Sequence, residues 1–452
     1  MQKILKDFLI KENYQVHYGY YIMVDLGYTM AMFSSQVRPG IIATALLLVI
    51  WLQYICRSFL AREYVLAGEG GKNGMAGKTA LRFCERPCMG TIDILAMAYF
   101  FYNLLSGIWC RIFGMPVSVW LGEFTTGILT MAFFITGRYL RSKGRDVFYR
   151  GFIIAVCFLG TLGIILFITG PRFYLDYLYN IDLISKADLA TMRVRMHSVI
   201  GSIQMGYISV AGMLACVHMI MGSRGKKGKT LLFICMLFAF LSNQRSAMVV
   251  AIMVLLYINY LLFFTFRLMD KKWLVIECAV LGVLALVLMV LFIPAVMKVY
   301  YRLVSLPGAI GQRSDQWIGA INNMNNLWLG NGLGANGHRA NGIAEHMIAD
   351  GGLAKLFVEM GIIGTSIFTY MMILCFKYGI RNLRECSAEV GILAMTLLTS
   401  IGSNILEFQI ATPVFWFAAG VIASLAAPVI PRVQDPDRDN EDGSRREGDV
   451  RL

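Results

Sequence analysis

The sequence predicts an all-α fold, a polytopic bundle of about twelve membrane-crossing helices. Three observations predict it. The chain is 57% hydrophobic and only 15% charged, too little charge to wet the surface of a soluble protein of this length. The apolar residues are gathered into blocks of roughly 20, the length a helix needs to cross the hydrocarbon core. Lys and Arg recur in short stretches between the blocks, on one side throughout when each block is taken as a crossing.

The blocks run in order 40–58, 91–110, 116–137, 151–170, 199–221, 247–266, 274–294, 353–376, 389–407 and 412–429. The segment 230–243 is shorter but apolar, and 18–36 is weaker because it carries Asp25. The basic stretches are 57–86, 138–150, 222–229, 267–272 and 377–385, with Arg138, Arg141, Lys143 and Arg145 in one and Arg224, Lys226, Lys227 and Lys229 in another. By the positive-inside rule their shared side is the cytoplasm. Lys3, Lys6 and Lys11 join them only if 18–36 also crosses, with Arg38-Pro39-Gly40 as an outer turn. Residues 1–430 then form one membrane domain with both ends inside. Residues 431–452 mix acidic and basic residues without apolar periodicity and are expected to be a disordered cytoplasmic tail.

Several function classes fall away. The net charge of +13 would suggest nucleic acid in a soluble protein, but here the cations orient helices, and no basic patch is interleaved with aromatics. None of the ten cysteines lies in 171–198 or 295–352, the stretches expected outside, which argues against a disulfide framework. Cys84 and Cys88 lack a second pair for zinc. Gly77-Lys78-Thr79 and Gly228-Lys229-Thr230 lack the glycine spacing and the strand of a phosphate-binding loop. No cleavable signal peptide is expected, since Met1 to Glu12 is polar and basic. The sequence calls for no metal or other cofactor.

Two outer loops are long, 171–198 and 295–352, the second lying between helices 9 and 10. Within it, 314–325 predicts an amphipathic helix with Trp317, Ile318, Ile321 and Met324 at helical spacing. The cluster Gly330, Gly332, Gly334 and Gly337 follows and reads as a flexible turn.

The informative residues are arginines on the wrong side. Arg172, Arg193, Arg195, Arg245, Arg302, Arg313 and Arg339 all fall outside in this topology, against the orientation rule. Arg245 sits in Ser242-Asn243-Gln244-Arg245-Ser246, a short junction between two apolar blocks. A guanidinium at that depth is costly unless something anionic meets it, although snorkelling or an internal partner also explains any single one. Arginine offers a planar fork of donors matched to phosphate and carboxylate.

With these residues in view the sequence resembles the O-antigen polymerase and O-antigen ligase superfamily, the Wzy-like and WaaL-like membrane glycosyltransferases. Arg195 followed by ten residues and Gly206 matches an R-x10-G pattern. Leu241 to Ser246 is similar to a short Ser-Arg junction before a central span. Gln312-Arg313-Ser314-Asp315-Gln316-Trp317, Leu329-Gly330-Asn331-Gly332-Leu333-Gly334 and Asp350-Gly351 lead to Glu359-Met360-Gly361-Ile362-Ile363-Gly364-Thr365. Ligases carry a histidine before a G-x-x-G-T run; here Asp350 stands in its place, which points away from a histidine-based ligase and agrees with the looser polymerase pattern. The resemblance covers roughly 195–365 closely and the rest by topology.

The resemblance implies a polyprenyl-diphosphate-linked oligosaccharide as donor and a sugar hydroxyl of a second lipid-linked unit as acceptor. It implies a bacterial cytoplasmic membrane with the active site facing outside, contact with membrane lipid, and a chain-length regulator and flippase as pathway partners. A ligase, or a flippase of lipid-linked sugars, stays as an alternative. Charge growing on the leaving diphosphate must be met by cations, and the acceptor must lose a proton. Arg195, Arg245, Arg313 and Arg302 suit the first task, with Trp317 and Glu407 beside them, Glu407 as a carboxylate partner for an arginine. Asp350, with His346 second, suits the second task; four residues apart, they share a face if the segment is helical. Asp350 also fits a cap on the helix beginning near Leu353.

Overall fold

A computed structural model describes residues 90–139, 142–170, 173, 176, 195–221, 225–267, 306–408 and 410–426. The expected spans 18–36, 40–58 and 274–294, most of 171–198, Arg302 and the tail lie outside the described residues. Among the described residues the chain is all-helical, with no strand.

The helices are α1 (Thr91–Ile112), α2 (Val117–Glu123), α3 (Ala132–Tyr139), α4 (Ser142–Thr169), α5 (Ser202–Met221), α6 (Gly225–Leu241), α7 (Arg245–Tyr260), α8 (Leu306–Asn322), α9 (Gly352–Arg381), α10 (Leu383–Gly402) and α11 (Thr412–Ala426). A π turn at Phe124–Ile128 and a 3-10 turn at Leu129–Met131 join α2 to α3 into one rod, Val117–Arg138. Among the described residues seven helical stretches are long and apolar enough to cross a membrane, and α11 is a shorter apolar helix. Ile94, Phe101, Ile108, Ile154, Phe158, Leu256 and Ile373 are all exposed on these helices. In water so much apolar surface would aggregate; against lipid it is the expected face, and the fold is that of a helical membrane protein.

Small residues let the helices approach. A Cβ on Gly137 of α3 or on Gly420 of α11 would run into the other helix's backbone, the close crossing that small residues permit in bilayers. Tyr99, Phe368 and Trp416 fill the space between α1, α9 and α11.

The bundle has two chemically different ends. At the basic end Arg138 grips Asp93 at 2.9 Å. There Glu389, fully buried, accepts a hydrogen bond from Tyr149 at 3.0 Å, with His218 Nε2 at 3.5 Å and Arg145 Nε at 3.7 Å. The opposite end carries the loop 323–351 and the starts of α5, α7 and α9.

That loop is pinned, and this corrects the expectation of a flexible turn. Gly361 (φ 61°) breaks α9, and the chain before α9 fills the break. The amides of Asn331 and Gly332 donate to the Val358 and Glu359 carbonyls at 2.9 Å each; those of Ile362 and Ile363 donate to Leu327 and Trp328 at 3.0 and 3.1 Å. Tyr102 Oη donates to the carbonyls of Leu329 and Met360. The carbonyls of Val358, Glu359 and Met360 and the amides of Ile362 and Ile363, freed by the break, thus find partners inside protein, as a membrane requires. Gly330 (φ 75°) and Gly361 are needed because a Cβ on either would overlap the other segment's backbone.

The predicted helix at 314–325 overlaps α8, which begins and ends earlier. Its apolar stripe divides: Trp317 and Met324 pack with Ala320 against Ile348 and Val358, while Ile318 and Ile321 stay exposed. No helix spans His346 and Asp350, so they share no helical face. Residue 351, not 350, caps α9.

Candidate functional site

Four features meet at the loop end, and the turn 402–408 between α10 and α11 touches each. Its last residue, Phe408, lines a cavity of about 110 Å³ together with Arg195, His197, Ser202, Gln204 and Gln244. The volume suits a small polar group and not an oligosaccharide, whose sugars would have to lie outside it. Two helices begin at this wall. Ser202 is the first residue of α5, and Gln244 caps α7; the Gln244 side-chain amide donates to the Ser202 hydroxyl, tying the two starts together. Free amides at a helix start attract anions. Arg245 follows Gln244 directly, half-buried, and makes no ion pair among the described residues.

Both motif glycines and arginines have a local reason. Residues 196–198 are buried between α4 and the end of α6, where Ser198 donates to the Leu159 carbonyl at 2.7 Å and Met196 N to Leu241 O at 3.0 Å. The run from Arg195 to Gly206 therefore folds into the bundle and then starts α5. Gly206 is where α5 meets the 242–246 junction, since a Cβ there would press on Ser242 and Ala247. Arg195 lines the cavity with Gln244, and because the junction is short Arg245, the next residue, lies at the same end of the bundle.

The second feature is the pair of Arg313 and Asp350, 2.7 Å apart and each about one-third exposed. Arg313 also lies over Gly402. Trp317 Nε1 donates to the Asp350 carbonyl at 2.7 Å, and its indole covers Gly351. Trp317 is thus committed to shaping the Asp350 turn. His346 sits against Gly319 of α8, and its carbonyl accepts from Asn336.

The third is a buried charge cluster that the sequence reading missed apart from Glu407. Lys355 Nζ lies 2.7 Å from Glu123, 3.6 Å from Glu359 and in contact with Glu407. Glu407 was expected beside an arginine; the structure gives it Lys355 instead. Arg339 reaches Glu123 from the other side at 3.5 Å. Glu359 also accepts from the Asn336 amide at 3.0 Å. Burial, and then the Glu123 charge, push the Glu407 carboxyl up to about 8 against the pull of Lys355. Burial and the nearby Lys355 charge push His338 down. Glu123 inside the apolar block 116–137, and Lys355 with Glu359 inside 353–376, were the available signal: ionisable residues in a span mark function or a partner.

The fourth is the ordered loop itself, whose Asn331 and Asn336 side chains bond each other at 2.9 Å. It places Gly337 against Lys355 and Glu407. Among the described residues no group of three or more metal-ligating side chains occurs. Neither a protein-family model nor a curated protein matches the chain.

Proposed function

We propose that the protein is a membrane glycosyltransferase that polymerises polyprenyl-diphosphate-linked oligosaccharide units on the outer face of a bacterial cytoplasmic membrane. The observation that carries this reading is the cavity where Arg195, Gln244 and the starts of α5 and α7 converge. Its donors are neutral or cationic, and its size fits a phosphate group. It lies at the end of the bundle remote from the basic stretches, the end that the positive-inside rule turns outward. In this reading the helices number about twelve with both termini inside, and 295–352 is extracytoplasmic.

The diphosphate of the donor enters the cavity, and its polyprenyl chain follows the apolar helix faces. Arg195 and Arg245 meet the charge that develops as the anomeric carbon–oxygen bond breaks. Fixed donors of this kind contribute about 3 kcal/mol of barrier each. Asp350, held by Arg313 at the half-exposed lip, is positioned to accept hydrogen bonds from sugar hydroxyls.

The test is direct. Purified protein in lipid nanodiscs is given lipid-linked oligosaccharide without nucleotide or metal, and the products are sized. Longer lipid-linked chains are expected. Product formed only with a foreign acceptor would indicate a ligase, and movement of intact units across the bilayer without a new bond would sink the enzyme reading. Topology is checked by an impermeant thiol reagent on Asn326→Cys: labelling in intact cells is expected.

A further inference from the structure

Three carboxylates and two cations make up the cluster beside the cavity, so it carries one negative charge more than it can neutralise. The surplus is not shared evenly. Glu123 faces both Lys355 and Arg339, at 2.7 and 3.5 Å. Glu359 has Lys355 and the Asn336 amide. Glu407 has Lys355 alone among the described residues. Glu359 and Lys355 also face Tyr99 of α1, and His338 stands near Lys355 and Glu123. In a site nearly closed to water, an unneutralised carboxylate is costly and takes a proton readily.

Glu407 is also the member nearest the cavity in the chain. The next residue, Phe408, forms part of the cavity wall. The Glu407 side chain is 11% exposed, against 3–4% for Glu123, Glu359 and Lys355, so it is the least enclosed of the three carboxylates. Asp350 has one oxygen engaged by Arg313 at 2.7 Å, whereas Glu407 is served only by an ammonium that two other carboxylates share.

Taking the polymerase reading as given, on which this depends, we propose that Glu407 is the acceptor of the proton lost by the attacking sugar hydroxyl, with Lys355 and Glu123 as its positioning residues. The hydroxyl oxygen bonds to the anomeric carbon as the bond from that carbon to the diphosphate breaks. The bonding electrons leave with the diphosphate, and the hydroxyl proton passes to the Glu407 carboxylate and then to water at the loop end. A base titrating near neutrality is best matched to this task, and the upward push on Glu407 supplies it.

Elongation rates of the full-length protein in nanodiscs, measured against pH and donor concentration, test this. The unaltered protein should gain rate as pH rises toward 8. Glu407→Gln should lose at least about 100-fold in kcat, the scale of a general base, with KM within about twofold and no remaining rise with pH. Glu407→Asp, which keeps a carboxylate, should keep a pH-dependent rate. Donor binding by Glu407→Gln, measured separately, shows that the variant is folded. Elongation by Glu407→Gln at near-normal rate, or with the same pH dependence, overturns the assignment and leaves the polymerase reading intact. Absence of elongation by the unaltered protein overturns the polymerase reading and this assignment with it.

Discussion

The two ends of the bundle solve opposite problems with buried charge. At the basic end one buried carboxylate, Glu389, is surrounded by Tyr149, His218 and Arg145, with the exposed Asp146 on the far side of His218. At the loop end a single ammonium, Lys355, serves Glu123, Glu359 and Glu407. Where donors outnumber acceptors the charge is fixed, and the cluster clamps α4, α5 and α10 together. Where carboxylates outnumber cations a proton can come and go. Burial alone does not separate structure from chemistry here; the balance of donors and acceptors does.

Removing the loop-end ammonium should have the largest effect. Lys355→Met leaves three buried carboxylates facing one another, and breaking a buried pair typically costs about 3–5 kcal/mol. Thermal unfolding in detergent should show a clear loss, and adding Glu407→Gln should recover part of it. Unchanged stability in the single variant would mean that the ammonium does not hold the cluster, and the contrast between the ends would fail.

Next come Arg195, which lines the cavity, and Arg245, which follows the lining residue Gln244. Arg195→Ala and Arg245→Ala should each lower elongation about 100-fold, equivalent to about 3 kcal/mol of barrier, while the protein accumulates in the membrane. Arg→Lys should be nearly as poor, because a point charge does not reproduce the planar fork. Near-normal polymer from both Ala variants would reduce these arginines to interface anchors.

Glu389→Gln sharpens the comparison from the other side. It should cost about 1–3 kcal/mol in stability, the price of unmaking buried polar contacts, and leave the pH dependence of elongation unchanged. A shifted pH profile would make the basic end part of the reaction. Arg313→Ala should have the smallest effect on stability, within about 1 kcal/mol, because its pair with Asp350 is solvent-screened. A large loss of elongation from so small a change in stability would mark that pair as functional.

The helices were legible because the bilayer imposes one length and one polarity on each. Block 91–110 reappears as α1, block 151–170 as α4, which starts nine residues earlier, and the described part of block 412–429 as α11. The start of α8 was placed late because its first turns carry no strong apolar stripe. The loop at Gly330–Gly337 was misjudged for a different reason. Glycines in a run look the same whether they swing freely or press against a neighbour, and here the neighbour is a helix break some thirty residues on. Arg195, Arg245 and Arg313 stood out against the orientation rule, and the structure brings each to the loop end. Lys355 was legible only as a charge inside an apolar block; that it would collect Glu123 from a distant helix depends on packing that no local pattern encodes.

The break at Gly361 has a mechanical meaning. The piece of α9 that carries Lys355 and Glu359 ends there, and the amides just beyond bond to Leu327 and Trp328. The two halves of α9 are therefore spliced through another part of the chain, as a rod is joined by a sleeve. Any tilt of the upper half must carry the sleeve with it, and with the sleeve the Gly337 turn that rests on Lys355 and Glu407. The charges and the loop above them move as one part or not at all.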